Sequence, residues 1–90
     1  MTFEWDTRKA TLNLRKHGIS FDEASTAFGD LRSITIRDPY HSIEEERSLL
    51  LGRSFRGRLV VVVHTEMADR IRMISARKAT RAERRKYEES

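Results

Sequence analysis

Residues 59–63, a leucine followed by four valines, constrain the fold more than any other part of the chain. An unbroken apolar run of mostly β-branched residues is typical of a strand buried on both faces, whereas a strand with one wet face alternates apolar and polar residues. We therefore predict a central strand here, in a sheet that other parts of the chain cover on both sides.

Four other segments are predicted to be strands. Residues 33–37 alternate cleanly, and the Asp38-Pro39 pair after them ends the strand because proline cannot donate a backbone hydrogen bond. Residues 38–45 are polar and predict a loop. With the central strand, the predicted strands are residues 3–5, 33–37, 46–54, 59–63 and 70–76.

Capping residues indicate two helices near the N-terminus. Asp6 is an N-cap residue for a helix that should run to about residue 17, where Gly18 ends it. Ser20 and Glu23 have the spacing of a capping box, which predicts a second helix over residues 21–28.

A second capping box, Thr80 with Glu83, opens a C-terminal helix. The element order is then β-α-α-β-β-β-β-α. This order predicts an α+β fold, with an antiparallel sheet of about four to five strands, two N-terminal helices and one C-terminal helix. Ninety residues are enough for one small domain, which we expect to span residues 1–90.

The composition excludes several classes of protein. The chain has no cysteine, so disulfides and thiolate catalysis are excluded. No apolar run approaches the roughly 18 residues needed to span a bilayer, and the N-terminus lacks the layout of a signal peptide. We expect a soluble cytoplasmic protein that does not interact with membranes.

Positive charge is concentrated in the second half of the chain. Residues 46–90 hold twelve Lys and Arg against six Asp and Glu, whereas residues 1–45 hold six against eight. A basic surface attracts phosphate through Coulomb forces and counterion release, so nucleic acid is one expected partner. A solvated surface or a docking face for an acidic protein remains an equally open interpretation.

Neither metal nor cofactor chemistry is indicated. His17, His41 and His64 lie on different predicted elements, without the pairing one turn apart that is typical of zinc sites. The chain also lacks a glycine-rich phosphate loop and a G-x-S-x-G nucleophile motif. We therefore expect no metal and no cofactor.

Arg, Lys, His, Glu and Tyr side chains are nevertheless sufficient to cleave RNA. The 2′-hydroxyl of RNA is an internal nucleophile, so a protein needs only to orient it, remove its proton and stabilise charge on the phosphorane. Arginine suits the phosphorane because its planar guanidinium donates two parallel hydrogen bonds. DNA lacks the 2′-hydroxyl, which would confine this chemistry to RNA.

The last predicted strand and its junction with the helix hold the main candidates. Arg72 lies mid-strand, where a charge needs a partner or a ligand, and an ion pair with Glu46 is the alternative to phosphate binding. Arg77 and Lys78 lie beside the N-terminus of the helix, which favours an anion. Strict alternation places Ile71, Met73, Ser75 and Arg77 on one face and Arg70, Arg72, Ile74 and Ala76 on the other.

Two other side chains are candidates for proton transfer. Tyr87 shares a predicted helix face with Glu83 and Arg84, where it can stack on a base or donate a proton. The alternative for Tyr87 is that it closes the edge of the sheet. His41 lies in the polar loop, where it either acts as a base near neutrality or is merely solvated.

The motifs FEWDTRKATLNLRKHGISFDEASTAF, DPYHSIEEER, LLLGRSFRGRLVVVVHTE and RIRMISARKATRAERRKYEE together resemble the BrnT family of bacterial type II toxins over nearly the whole chain. The resemblance implies a RelE-like fold, a ribonuclease activity that arrests translation and growth, and neutralisation by a BrnA antitoxin. That antitoxin carries a ribbon-helix-helix part, and the expected 2:2 heterotetramer binds operator DNA through the antitoxin.

On this hypothesis the protein is a metal-independent endoribonuclease. The alternatives are a non-catalytic module that binds RNA or the ribosome, and a scaffold whose basic face only binds an acidic partner. The candidate residues are Arg72 and Arg77 on the phosphorane, His41 or Glu46 as the base, Tyr87 for stacking or proton donation, and Lys78, Arg84, Arg70 and Arg81 on RNA phosphates.

Overall fold

The computed structural model describes residues 1–38 and 46–90. The element order is the predicted β-α-α-β-β-β-β-α, so the α+β prediction is confirmed. A 3₁₀ turn, Ala27–Gly29, follows the second helix. The elements are β1 (Thr2–Glu4), α1 (Thr7–His17), α2 (Phe21–Thr26), β2 (Ile34–Arg37), β3 (Ser48–Arg53), β4 (Leu59–Met67), β5 (Arg70–Lys78) and α3 (Arg81–Glu89).

The strands form one sheet in the order β1-β5-β4-β3-β2. The pairs β2–β3, β3–β4 and β4–β5 are antiparallel, as predicted, whereas β1 lies parallel to β5. A parallel pair needs a long connection rather than a hairpin, and here all the intervening elements provide it. Because β1 has only three residues, it covers only the first part of the β5 edge, from Thr2 beside Arg70 to Glu4 beside Arg72.

The central strand β4 is covered on both faces, as its sequence predicted. Val60 and Val62 are buried in the larger cluster, beneath the first two helices, whereas Leu59 and Val61 are buried in a smaller cluster on the other face. The larger cluster consists of Ile19, Phe21, Ala24, Ala27, Leu50, Val60, Val62, Ile71, Met73 and Ala76. The smaller cluster consists of Leu51, Leu59, Val61 and Tyr87. We call the side of the sheet with the smaller cluster the α3 face.

Two of the predicted helix caps form as expected. The Asp6 carboxylate accepts hydrogen bonds from the backbone N–H groups of Arg8 and Lys9, at 2.8 and 3.2 Å. Gly18 ends α1 with a left-handed φ of 71°, a conformation that costs glycine little.

The two predicted capping boxes differ in outcome. In α3, the hydroxyl of Thr80 and the carboxylate of Glu83 each accept from the other residue's backbone N–H, which confirms the box. In α2, only the Ser20 half forms. The Glu23 carboxylate instead binds Ser54 and Arg58, and α2 ends at Thr26, two residues earlier than predicted.

Asn13 joins α1 to the edge of β5. Its side-chain amide donates to the carbonyl oxygens of Ile19 and Ala76, at 2.9 and 2.8 Å, and accepts from the Ala76 N–H at 3.0 Å. Because β1 pairs with β5 only as far as Arg72, the outward-facing polar groups of Ala76 lie beyond its reach. The Asn13 amide thus takes the place of a missing strand residue.

Across residues 1–38 and 46–90, the structure contains no helix with the length and apolar character needed to cross a membrane.

Candidate functional site

A β-bulge in β5 determines which side chains share the α3 face. Ser75 pairs with Val63 and Met73 pairs with His64, so Ile74 has no partner on β4. An extra residue of this kind reverses the alternation of the side chains that follow it. Arg72, paired with Thr65, and Arg77, paired with Val61, therefore project from the same face.

Strict alternation had placed Arg72 and Arg77 on opposite faces, and that prediction is wrong. Their partners on β4 are four residues apart, which corresponds to about 13 Å between the two arginine Cα atoms. Ser75 projects between them from the same face, since its partner Val63 lies midway between Thr65 and Val61. The two arginines thus lie in one row on the α3 face rather than on opposite sides of the sheet.

The Arg77 guanidinium is fixed by Glu83 of α3. Its Nη1 and Nη2 atoms donate to the two carboxylate oxygens of Glu83 at 2.8 and 2.9 Å. The hydrogen bond from Arg77 lowers the pKa of Glu83 to about 2, while burial opposes that change. The same bond raises the pKa of Arg77. Arg77 is therefore a permanent cation whose side chain has one preferred orientation.

Tyr87 anchors α3 to the sheet. Only 3% of its surface is exposed, and its hydroxyl donates to the Asp30 carboxylate at 2.7 Å. The guanidinium carbons of Arg32 and Arg53 each lie 5.5 Å from the centre of the ring, a distance suited to cation–π contact. This environment favours the alternative interpretation of Tyr87, in which the residue closes the sheet edge.

Asp30, which accepts the hydrogen bond from Tyr87, has a lowered pKa. Its burial would raise the pKa of the carboxyl group, but hydrogen bonds from the Tyr87 hydroxyl and from the backbone N–H groups of Arg53 and Arg32 lower it overall. The hydrogen bond to Asp30, with burial, in turn raises the pKa of Tyr87. The phenol is therefore a weaker proton donor than a solvated tyrosine.

The other predicted residues lie at the margins of this face or beyond it. Lys78 pairs with Val60 and so projects from the face opposite Arg77, whereas Arg81 and Arg84 are exposed on α3. Arg70 is exposed and lies 3.8 Å from Glu4. His41 lies outside the described residues.

Glu46 is also exposed, just before β3. Its carboxylate accepts a hydrogen bond from Arg37 of the edge strand β2 at 3.0 Å. The sequence offered Glu46 as an ion-pair partner for Arg72, and the contact that Glu46 makes here is with Arg37. Arg72 is exposed and has polar or ionic contacts of its own.

A small groove brings Arg72 together with two cations that the sequence did not single out. Lys9 comes from the first turn of α1, and Arg47 immediately precedes β3. The packing of α1 against β5 brings Lys9 here, so no local sequence signal identifies it. The groove is lined by Asp6, Lys9, Arg47, Arg72, Met73 and Ile74.

Within the described part of the chain, no three His, Cys, Asp or Glu side chains lie close enough together to hold a metal ion.

Comparison with known proteins agrees with the sequence resemblance. The family model for BrnT, the ribonuclease toxin of type II toxin-antitoxin systems, matches residues 5–83. The 1.1 Å crystal structure of the Brucella abortus ribonuclease toxin BrnT has a similar fold, with a TM-score of 0.65 and 20% sequence identity over 90% of this chain and 99% of that chain. No curated protein matches the sequence. Because the family model covers most of its length, the chain belongs to the BrnT family of ribonuclease toxins.

Proposed function

We propose that the protein cleaves RNA without a metal, by attack of the 2′-hydroxyl on the adjacent phosphate, and thereby arrests translation and growth. Membership of a ribonuclease toxin family supports RNA as the substrate. The observation that carries the mechanism is the row of arginines on the α3 face, where the bulge at Ile74 brings Arg72 and Arg77 to the same side.

Arg72 is the residue that we assign to the phosphorane. It is exposed beside the groove, and a guanidinium stabilises two phosphoryl oxygens more strongly in the transition state, where they carry more charge. Arg77 fills a second electrostatic position farther along the same strand. Three of its five N–H groups are committed to Glu83 and to the Lys78 carbonyl oxygen, which leaves two for substrate.

The base that removes the 2′-hydroxyl proton is assigned to Glu46 or His41, both of which come from the sequence between β2 and β3. Arg84, Arg81, Arg70 and Lys78 are assigned to RNA phosphates farther from the cleavage point, because a flexible single strand can follow the edge of the sheet and α3. The role we assign to Tyr87 is to hold α3 against the sheet, which in turn keeps Glu83 and Arg77 in place.

As a type II toxin, the protein has an antitoxin partner. We propose a BrnA-like antitoxin with a ribbon-helix-helix part, in a 2:2 complex that reaches operator DNA through the antitoxin alone. Co-expression with the neighbouring reading frame, followed by measurement of the mass of the purified complex, tests this composition. A 1:1 complex, or DNA binding by the toxin alone, would contradict it.

Cleavage is tested with purified protein and RNA in excess EDTA. We expect cuts whose products carry 2′,3′-cyclic or 3′-phosphate ends, and a loss of about 100-fold or more in rate for Arg72→Ala. Arg15→Ala, which removes an exposed arginine from α1, is the matched control and should cut at the wild-type rate. Folded Arg72→Ala that cuts as fast as wild type would refute the site, whereas wild-type protein that binds RNA without cutting it would establish the non-catalytic alternative.

A further inference from the structure

The groove beside Arg72 lies where β1 stops covering the edge of β5. The pairing of β1 with β5 ends at Glu4 and Arg72, and the chain then enters α1 through its N-cap Asp6. The bulge at Ile74 follows immediately on β5. A gap at this point is therefore built into the fold, because neither β1 nor the regular ladder continues across it.

Charge in the groove is predominantly positive. Lys9, Arg47 and Arg72 contribute three cations, whereas Asp6 contributes one carboxylate. One oxygen of that carboxylate already accepts the backbone N–H groups of Arg8 and Lys9. Most of the charged side chains that line the groove are thus cations, and they come from three separate parts of the chain, which is suited to an anion.

Thr65 supplies a second observation that does not depend on charge. The residue is 5% exposed, and its hydroxyl has no hydrogen-bond partner among the described residues. It pairs with Arg72 across the β4–β5 ladder, so its side chain projects from the same face next to Arg72, one of the residues that line the groove. A buried hydroxyl without a partner is unfavourable, and an anion bound by the neighbouring Arg72 would provide one.

We propose that this groove is a phosphate-binding subsite for the RNA backbone. Lys9, Arg47 and Arg72 supply the charge, and the Thr65 hydroxyl donates a directional hydrogen bond to a phosphate oxygen. This inference rests on the proposed ribonuclease function and adds three residues to it, namely Lys9, Arg47 and Thr65. We favour RNA as the occupant because the row on the α3 face leads from this groove past Ser75 to a second cation, Arg77.

The test measures binding of a short, fully 2′-O-methylated RNA, which cannot supply the attacking hydroxyl. Its dissociation constant is measured over a series of KCl concentrations. For Lys9→Gln, we expect weaker binding and a salt dependence shallower by about 0.7, the value for one lost contact with a single-strand phosphate. Lys16→Gln removes an exposed lysine from the same helix and should leave both quantities unchanged.

Thr65→Val separates a binding role from a structural one. Valine has nearly the same shape but lacks the hydroxyl, so it removes a buried polar group that the described structure leaves unpartnered. We expect this variant to unfold at a higher urea concentration and yet to bind the methylated RNA about tenfold more weakly. A hydroxyl that is merely tolerated in the core would give the gain in stability without the loss of affinity.

The outcomes distinguish this subsite from the proposed function. If wild-type protein cuts RNA, but Lys9→Gln keeps its salt dependence and Thr65→Val keeps its affinity, the subsite is refuted and the ribonuclease remains. If wild-type protein neither cuts RNA nor binds the methylated RNA, the proposed function fails and the subsite fails with it, whereas binding without cutting refutes only the ribonuclease. Loss of antitoxin binding by Lys9→Gln, with RNA binding intact, would assign the groove to an acidic segment of the partner and also refute the subsite.

Discussion

Replacement of Asn13 by leucine should reveal how strongly the edge of β5 depends on one side chain. The Asn13 amide makes three hydrogen bonds to buried backbone groups, which are the carbonyl oxygens of Ile19 and Ala76 and the N–H of Ala76. Leucine has a similar volume and makes none of them. Because Asn13 is 6% exposed, water reaches these groups poorly once leucine fills the space.

The expected cost is large for a domain of this size. Each buried backbone group left without a partner costs about 1–3 kcal/mol, so three groups cost about 3 kcal/mol even at the lower end. Native domains of about 90 residues have free energies of unfolding of roughly 5–13 kcal/mol. With a urea m-value of about 1–1.5 kcal/mol/M, the unfolding midpoint should fall by about 2–3 M.

Urea unfolding of three variants tests this reasoning. Asn13→Ala opens space for water and should lose less stability than Asn13→Leu, whereas Lys16→Ala, on the exposed side of α1, should stay within about 0.5 kcal/mol of wild type. An Asn13→Leu variant as stable as wild type, to within about 0.5 kcal/mol, would show that the amide is not what satisfies the β5 edge.

Four other substitutions test the Arg77–Glu83 ion pair, the Tyr87 hydrogen bond and the backbone conformation at residue 68. Because Arg77 lowers the pKa of Glu83 to about 2, the stability from their ion pair should be complete above pH 4.5 and disappear as the pH falls towards 2. After allowance for partial exposure, Glu83→Gln should cost about 1–2 kcal/mol at pH 7 and nothing near pH 2, as measured by urea unfolding at both pH values. Tyr87→Phe removes the hydrogen bond to Asp30 and should cost about 1–2 kcal/mol at pH 7, and a value near zero in the same assay would show that this bond does not hold α3. Ala68 has a left-handed φ of 54°, so Ala68→Gly should raise the thermal midpoint slightly, whereas Ala10→Gly in α1 should cost about 1 kcal/mol; a lower midpoint for Ala68→Gly would contradict the proposed strain.

Sequence patterns that span only a few residues were sufficient to predict the order of helices and strands and the α+β class of the fold. The caps at Asp6 and Thr80 and the left-handed Gly18 depend on contacts within a few residues, so a sequence pattern can identify them. The valine run likewise predicted that β4 is buried on both faces, because a strand buried on both faces does not need to alternate apolar and polar residues.

Contacts between distant residues account for what the sequence missed. Glu23 has the spacing of a capping box, but Arg58 and Ser54 compete for its carboxylate, and they lie more than thirty residues away. The hydrogen bond from Arg58 lowers the pKa of Glu23 although burial opposes it. A buried carboxylate gains more from a guanidinium and a hydroxyl than from one backbone N–H, so the long-range contacts win over the local motif.

The bulge at Ile74 shows why the candidate site was harder to predict than the fold. Alternation along a strand fixes a side chain's face only while the ladder is regular, and a single extra residue reverses the face of every side chain after it. Arg72 and Arg77 are five positions apart, which is an odd number, so regular pairing would have put one of the two arginines on the side of the sheet covered by α1 and α2. Because Ile74 is unpaired, every side chain from Ser75 onward projects from the face opposite to the one that regular alternation predicts. As a result, both arginines project from the α3 face. On the proposed mechanism, RNA cleavage therefore depends on an irregularity in the sheet, and Arg72, the first of the two arginines, lines the groove beside this irregularity.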